Sequence, residues 1–149
     1  MREPCPCGLP AAYIDCCGRY HQGALLGMAP TPQALMRSRY SAFVLDLRDY
    51  LLSTWHPSTR PAELAPPEAG LKWLGLEVRS AAMTGPDHGT VLFVARSKLG
   101  GRAHRLQEHS EFVRDNGRWF YLRALAEEPV SGLLKRDFSS PANKGSRGG

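Results

Sequence analysis

The stretch AHRLQEHSEFVRDNGRWFYLR, residues 103–123, gives the clearest indication of the fold of this chain of 149 residues. Asn116-Gly117 lies at its centre, and Asn-Gly is the strongest short hairpin signal because a type I′ turn needs two positive φ angles. The flanking residues alternate between apolar and polar, which is typical of strands. The same period of two recurs earlier in the chain. The pattern therefore predicts four antiparallel strands, at about 73–83, 90–99, 103–114 and 118–125.

A two-residue turn also determines which side chains share a face of the sheet. Counting outward from the turn places Phe112 opposite Tyr121 and Ser110 opposite Arg123. Glu108 falls on this same aromatic-rich face, which we expect to be the concave side that packs against helices. The other face carries apolar side chains that predict a homodimer interface or a cover from the C-terminal segment: Val113, Phe120 and Leu122.

The first half of the chain has the apolar period of helices. Thr31 is suited to cap a helix that begins at Pro32. Asp46 followed by Asp49 resembles a second helix cap. We therefore expect helices at about 32–45 and 47–55, then a proline-rich loop with one helical turn at about 62–65. Helices followed by antiparallel strands indicate an α+β domain.

All four cysteines lie within the first 17 residues, as Cys5-Pro-Cys7-Gly8 and, later, Cys16-Cys17. Four thiolates in two close pairs can hold one Zn²⁺ tetrahedrally at about 2.3 Å. A disulfide between the two pairs is the alternative, whereas a bridge within either pair needs strained geometry. A zinc ion with four protein ligands has no open position for water, so it would hold structure and not catalyse. Residues 1–23 thus read as a small zinc knuckle with ligands Cys5, Cys7, Cys16 and Cys17.

Composition and charge restrict the class of protein. Hydrophobic residues make up 42% and charged residues 22% of the chain, as in a soluble protein that buries a core. No apolar run is long enough to span a membrane and no secretory signal is evident, so we expect a cytoplasmic protein that does not bind membranes. The formal charge of +5 is spread along the chain, which permits RNA binding without requiring it.

Glu108 is the candidate functional group of the interior. A carboxylate beside apolar walls needs a partner. The helices and their exit supply the available cations and donors: Arg37, Arg39, Tyr40 and His56. These residues either form a structural network or line a pocket for a small ligand. In an enzyme, Glu108 or His56 would act as acid and base. The sequence shows no nucleophile–base pair, phosphate loop or open metal site, so we assign no catalytic residue and do not favour an enzyme.

The motifs taken together resemble a known family. The cysteine pattern is similar to the SEC-C motif, named for the zinc-binding C terminus of the SecA translocation ATPase. A wider likeness to the uncharacterised bacterial YchJ-like family is carried by Tyr13, Gly18, Tyr20 and His21, by LMRSRYSA at 35–42, by TWHP at 54–57 and by GRWFY at 117–121. The resemblance implies a SEC-C knuckle at 1–23 and an NTF2-like domain at 28–138, in which a curved antiparallel sheet forms a cone around the helices. A small, polar tail at 139–149 is expected to be disordered.

The residues between the cysteine pairs depart from the usual SEC-C motif, which bears on the kind of partner to expect. SEC-C motifs usually carry Ser-Gly and a cation between the cysteine pairs, whereas this chain has Leu-Pro-Ala-Ala at residues 9–12. The metal ligands are intact, but SecA-like docking to a chaperone or ribosome loses support. We expect a binding or adaptor protein whose knuckle contacts a protein or a ribosome/RNA partner and whose cone supplies stability or holds a small ligand. An enzyme with acid–base chemistry in the cone and an RNA- or ribosome-associated protein are the alternatives.

Overall fold

Short helices followed by one antiparallel sheet make up the structure, a computed structural model that describes residues 3–129. The tail expected at 139–149 and the last part of the range assigned to the NTF2-like domain lie outside the described residues. A 3₁₀ turn at Tyr13–Asp15 comes first. The elements that follow are α1 (Gly18–His21), α2 (Pro32–Leu45), α3 (Arg48–Ser53), β1 (Lys72–Gly85), β2 (His88–Leu99), β3 (Arg102–Asp115) and β4 (Arg118–Pro129).

Helix α2 has the bounds that its sequence predicts. The Thr31 hydroxyl accepts a hydrogen bond of 3.0 Å from the Ala34 amide, and Pro32 opens the first turn. The predicted N-cap at Asp46 was wrong, because Asp46 instead ends α2 in the left-handed region with φ of 57°. The Leu47 amide donates back to the Ala42 carbonyl at 2.8 Å, which closes the helix in the manner of a Schellman motif. Helix α3 is consequently shorter than expected.

The four strands form one antiparallel sheet in the order β1-β2-β3-β4. Asn116 and Gly117 both have positive φ, 54° and 79°, so the predicted hairpin turn is confirmed. Phe112 pairs with Tyr121 as expected. The predicted pairing of Ser110 with Arg123 was wrong, since an irregularity between Glu111 and Phe112 shifts the register and places Ala124 opposite Ser110.

The predicted helical turn at about 62–65 was also wrong, since this segment has no helix. Pro61 and Pro66 flank it, and the residue before a proline is disfavoured in the helical region. A run of four residues is also too short to repay the cost of helix nucleation. Within residues 3–129, no helix is long and apolar enough to cross a membrane.

The main core lies between α2 and the aromatic-rich face of the sheet. Helix α2 packs against β1, β2 and β4. Its first turn approaches the sheet so closely that a Cβ at Gly89 would lie 2.7 Å from Pro32 Cγ, which requires glycine at that position of β2. The best-buried apolar side chains of this core include Leu35, Met36, Tyr40, Phe93, Leu106, Phe112 and Tyr121. The α+β arrangement of N-terminal helices and a four-stranded sheet is therefore confirmed.

Candidate metal centre and interior polar residues

The four cysteine sulfurs form one buried cluster. Their Sγ atoms all lie within 4.8 Å of one another, and all four cysteines are free thiols. The Sγ atoms of Cys7 and Cys16 are 3.7 Å apart. Four metal–sulfur bonds of about 2.3 Å in a tetrahedron place the sulfurs about 3.8 Å apart. The donor set and its spacing therefore fit one tetrahedral metal ion, and a disulfide is not formed.

Backbone turns bring the two cysteine pairs together. The Cys5 amide donates to the Ala11 carbonyl, and the Gly8 amide donates to the Cys5 carbonyl with Gly8 at φ of 94°. The second pair leads directly into α1. A Cβ at Gly18 would lie only 2.7 Å from the Tyr13 carbonyl oxygen, so this position needs glycine.

The thiols influence one another's ionisation. Hydrogen bonds donated by the Cys17 and Cys7 side chains hold the pKa of Cys5 far below its usual range. Burial raises the pKa of Cys16 to about 12. The hydrogen bond to Cys5 and burial also raise the pKa of Cys17. Hydrogen bonds from neighbouring thiols thus favour one thiolate, and bringing four thiolates together calls for a bound cation.

The described part of the cysteine knuckle, residues 3–23, is hydrogen-bonded to the polar side of α2. Arg37 Nη1 donates to the Cys7 carbonyl at 3.0 Å, and Ser41 Oγ lies 3.7 Å from Cys5 Sγ. His21 Nε2 donates to the Ser38 carbonyl at 2.8 Å, because a carbonyl can only accept. Three residues of one helix therefore contact the metal-binding segment.

His21 does not belong to the ligand set, although it lies near the cluster. Its Nδ1 accepts a hydrogen bond of 2.6 Å from the Tyr13 hydroxyl, and its Nε2 is engaged by α2. Burial lowers the pKa of His21, which favours the neutral ring that this pattern requires. His21 is a link between the knuckle and the helix.

Arg39, Tyr40 and Glu108 are the predicted interior residues that the structure buries. Arg39 Nη1 donates to the Leu51 carbonyl and to Thr54 Oγ1, both at 2.8 Å, and its guanidinium lies 4.7 Å from the Tyr121 ring centroid. Burial lowers the pKa of Arg39 to about 10, although nearby anionic groups such as Glu108 oppose the shift. The cation is therefore held inside the domain by the exit of α3 and by the sheet.

Glu108 is fully buried and lies on the aromatic face, as its register predicts. Its Oε2 accepts hydrogen bonds from Ser110 Oγ and, at 3.2 Å, from the Tyr121 hydroxyl. Tyr121 lies opposite Phe112 on the same face of the sheet. These contacts describe a structural network, and a role for Arg39 or Glu108 in binding a ligand stays a prediction.

Arg37, Tyr40 and His56 make contacts with three different parts of the domain. Arg37 lies on the knuckle side of α2. Tyr40 packs edge-on against Trp73 with ring centroids 5.8 Å apart, and burial raises its pKa to about 12. His56 lies at the end of the sheet, where its Nε2 is 3.1 Å from Asp115 Oδ2. A role for Arg37, Tyr40 or His56 in binding a ligand stays a prediction.

A Ser–His–Asp arrangement was missed by the sequence reasoning. His56 Nδ1 lies 2.8 Å from Ser58 Oγ, while Asp115, 59 residues away, contacts Nε2. The Ser58 amide also donates to Nδ1 at 3.1 Å, which is the geometry of a capped turn. We therefore interpret the arrangement as a link between the exit of α3 and the end of β3.

Comparison with known proteins places the chain in a family. Residues 31–124 match the YchJ middle NTF2-like domain. The chain belongs to the YchJ-like family. Relatives of the UPF0225 family include a protein of Methylibium petroleiphilum, 65% identical over 129 residues that cover 87% of this chain and 93% of the relative. A UPF0225 protein of Bordetella pertussis is 58% identical over 118 residues, 79% of this chain and 89% of the relative.

Two solved structures resemble this YchJ-like protein along most of its length. The solution structure of a SEC-C motif containing protein from Rhodopseudomonas palustris is 32% identical, with a TM-score of 0.70, and the match covers 85% of this chain and 98% of that one. The crystal structure of a SEC-C motif containing protein from Psychrobacter arcticus is 26% identical, with a TM-score of 0.64 and 91% coverage of both chains. The predicted resemblance to SEC-C and YchJ-like proteins is confirmed.

Loss of one thiol should abolish metal binding. We expect freshly purified, reduced protein to contain about one divalent ion per chain, and Cys7→Ser to contain almost none, since three ligands hold the ion poorly. Elemental analysis of both proteins measures this. Leu9→Ala is the matched control, because Leu9 lies between the cysteine pairs but is exposed, and it should retain the ion. Metal-free wild-type protein would contradict the assignment.

Metal affinity should rise with pH. Cys16 and Cys17 have raised pKa values and are protonated at neutral pH, so binding must release at least their protons. Titration of zinc into metal-free protein in a weakly buffered, reducing solution should acidify the solution, and a competition titration should show tighter binding at pH 8 than at pH 6. A pH-independent affinity without proton release would exclude a thiolate site.

Glu108→Gln should destabilise the domain. The change removes the negative charge that favours the buried Arg39 cation, which costs on the order of 1–3 kcal/mol in the free energy of unfolding. Denaturant-induced unfolding measures the difference. Glu111→Gln on the same strand is the control, since Glu111 pairs with an exposed arginine, Arg123, and such surface pairs contribute little. Equal stabilities of the two variants would show that the Glu108 charge has no structural role.

Proposed function

We propose that this YchJ-like protein is a non-catalytic binding or adaptor protein of the cytoplasm, and that its knuckle, held by zinc, presents a surface to a partner protein together with the loop that follows it up to Met28. The distribution of exposed apolar side chains carries the proposal. Five of the nine large apolar side chains that are exposed within residues 3–129 lie between positions 9 and 28. They are Leu9, Ile14, Leu25, Leu26 and Met28. Exposed apolar side chains that concentrate in one segment favour protein contacts.

Zinc is the metal that best suits the knuckle. Four cysteine sulfurs are the ligand set typical of structural zinc sites. Among the described residues, just two partly buried apolar side chains pack against the cysteines, those of Ala11 and Tyr13, so burial supplies little of the stability of this segment. When bound, zinc supplies four metal–sulfur bonds and leaves no open position for a substrate. The metal would therefore maintain the shape of the surface and take no part in a reaction.

Charge favours a protein partner over RNA. Between residues 3 and 28 the chain has one cation, Arg19, against the carboxylates of Glu3 and Asp15. Arg19 is already engaged, because its Nε donates to the Cys16 carbonyl and its guanidinium lies 4.8 Å from the Tyr20 ring centroid. RNA-binding surfaces concentrate free cations. The knuckle does not, so binding to RNA or the ribosome through the knuckle has little support.

Two alternatives, acid–base catalysis in the interior and a homodimer through the sheet, concern the domain that follows the knuckle. Arg39 and Glu108 are engaged by neighbouring side chains, which gives acid–base catalysis in the interior no support from the contacts. A homodimer through Val113, Phe120 and Leu122 stays a prediction. Phe120 is already partly covered, with the His56 ring 5.6 Å away and the Arg118 guanidinium 5.5 Å away.

Site-specific photo-crosslinking in living cells tests the proposal. With Leu26→benzoylphenylalanine we expect a discrete protein adduct that is lost when Cys7→Ser is combined with it. Met83→benzoylphenylalanine is the matched control, since Met83 is similarly exposed but lies on β1, and it should not give that adduct. An RNA adduct at position 26, or the same protein adduct at both positions, would contradict a protein-binding knuckle.

A further inference from the structure

A groove of about 530 Å³ lies where α2 turns into α3, on the side of the domain that carries the knuckle. His21 of α1 and Tyr50 of α3 line it together, with ring centroids 4.6 Å apart. Its size lies within the range of sites that bind small molecules or a few side chains of a peptide. Three half-buried leucines contribute its apolar surface: Leu47, Leu52 and Leu64.

The rim of this groove is acidic, although the chain as a whole has a charge of +5. Asp46, Asp49 and Glu63 line the groove with a single cation, Arg48. Arg48 is already paired, because its Nε lies 3.0 Å from Asp46 Oδ1. Among the described residues, no cation forms an ion pair with Asp49 or Glu63. Such a local negative field attracts cations and repels nucleic acid.

The backbone and the core hold this groove in shape. The left-handed conformation of Asp46 and the hydrogen bond from the Leu47 amide to the Ala42 carbonyl fix the corner between the helices. The Tyr50 hydroxyl is 2.7 Å from Ser38 Oγ, which anchors one wall of the groove to α2. A groove that is already formed before binding loses less conformational entropy when a partner binds.

We propose that this groove binds a basic segment of a partner protein, in which lysine or arginine side chains contact Asp49 and Glu63 and an apolar side chain contacts the leucines. The acidic rim favours cationic side chains, and the apolar wall favours a peptide over a fully hydrated cation. The inference rests on the proposed role in protein binding and adds the location and the chemistry of the contact. The groove is also linked to the knuckle, because His21, which lines the groove, accepts a hydrogen bond from the Tyr13 hydroxyl.

Fluorescence anisotropy of purified, zinc-loaded protein with the labelled hexapeptide LKLRLK tests the inference. We expect saturable binding that weakens with salt, at least tenfold tighter than binding of GKGRGK or LELELE. The double variant Asp49→Asn, Glu63→Gln should weaken binding of LKLRLK at least tenfold. The control double variant Glu77→Gln, Asp87→Asn changes two exposed acids of the sheet region and should change it less than twofold.

Four results would overturn the inference. Equal binding of LKLRLK and GKGRGK, or full displacement by spermine at equal charge concentration, would indicate a site for small cations and not for a peptide. Equal effects of the two double variants would show non-specific attraction. An NMR titration of the wild-type protein gives a readout without variants, since the largest shifts should fall at Asp49, Leu52 and Leu64 and a footprint elsewhere would exclude the groove.

A failed crosslink at Leu26 with successful peptide binding would contradict the adaptor role of the knuckle and leave the groove supported.

Discussion

Helix α2 is buried on two sides, and the hydrogen bonds between its polar side and the cysteine knuckle are the constraint on which the N-terminal half of the structure depends. Arg37 reaches the Cys7 carbonyl, and the Ser38 carbonyl receives the His21 ring. The apolar side of the same helix packs on the sheet through residues such as Leu35 and Met36. One helix therefore joins a segment that needs a metal to a domain that has its own core.

This junction explains how a small metal site can affect distant surfaces. The Tyr13 hydroxyl, the His21 ring and the Ser38 carbonyl form a continuous chain of hydrogen bonds from the knuckle to α2, and Ser38 Oγ continues it to Tyr50 in α3. Structural zinc sites contribute on the order of 10–16 kcal/mol of binding free energy to the segments that they fold. Loss of the metal would leave the sheet intact but release the restraints on α1 and on one wall of the groove.

The sequence predicted the features that depend on local chemistry. Thr31-Pro32 predicts the start of α2, Asn116-Gly117 predicts the hairpin, and the cysteine spacing predicts the cluster of four thiols. It did not predict the register shift near Glu111, because a β-bulge is set by the twist and packing of the whole sheet and leaves no mark in the apolar pattern. It also did not predict the contact of His56 with Asp115, which depends on how the exit of α3 docks at the end of β3.

Hydrogen exchange measured with and without a zinc chelator tests whether a metal holds the knuckle and, through it, the polar side of α2. We expect chelation to speed amide exchange strongly in residues 3–28 and moderately in α2 and α3, while β2 and β3 stay protected. Unchanged exchange throughout residues 3–28 after the metal has been removed would contradict it.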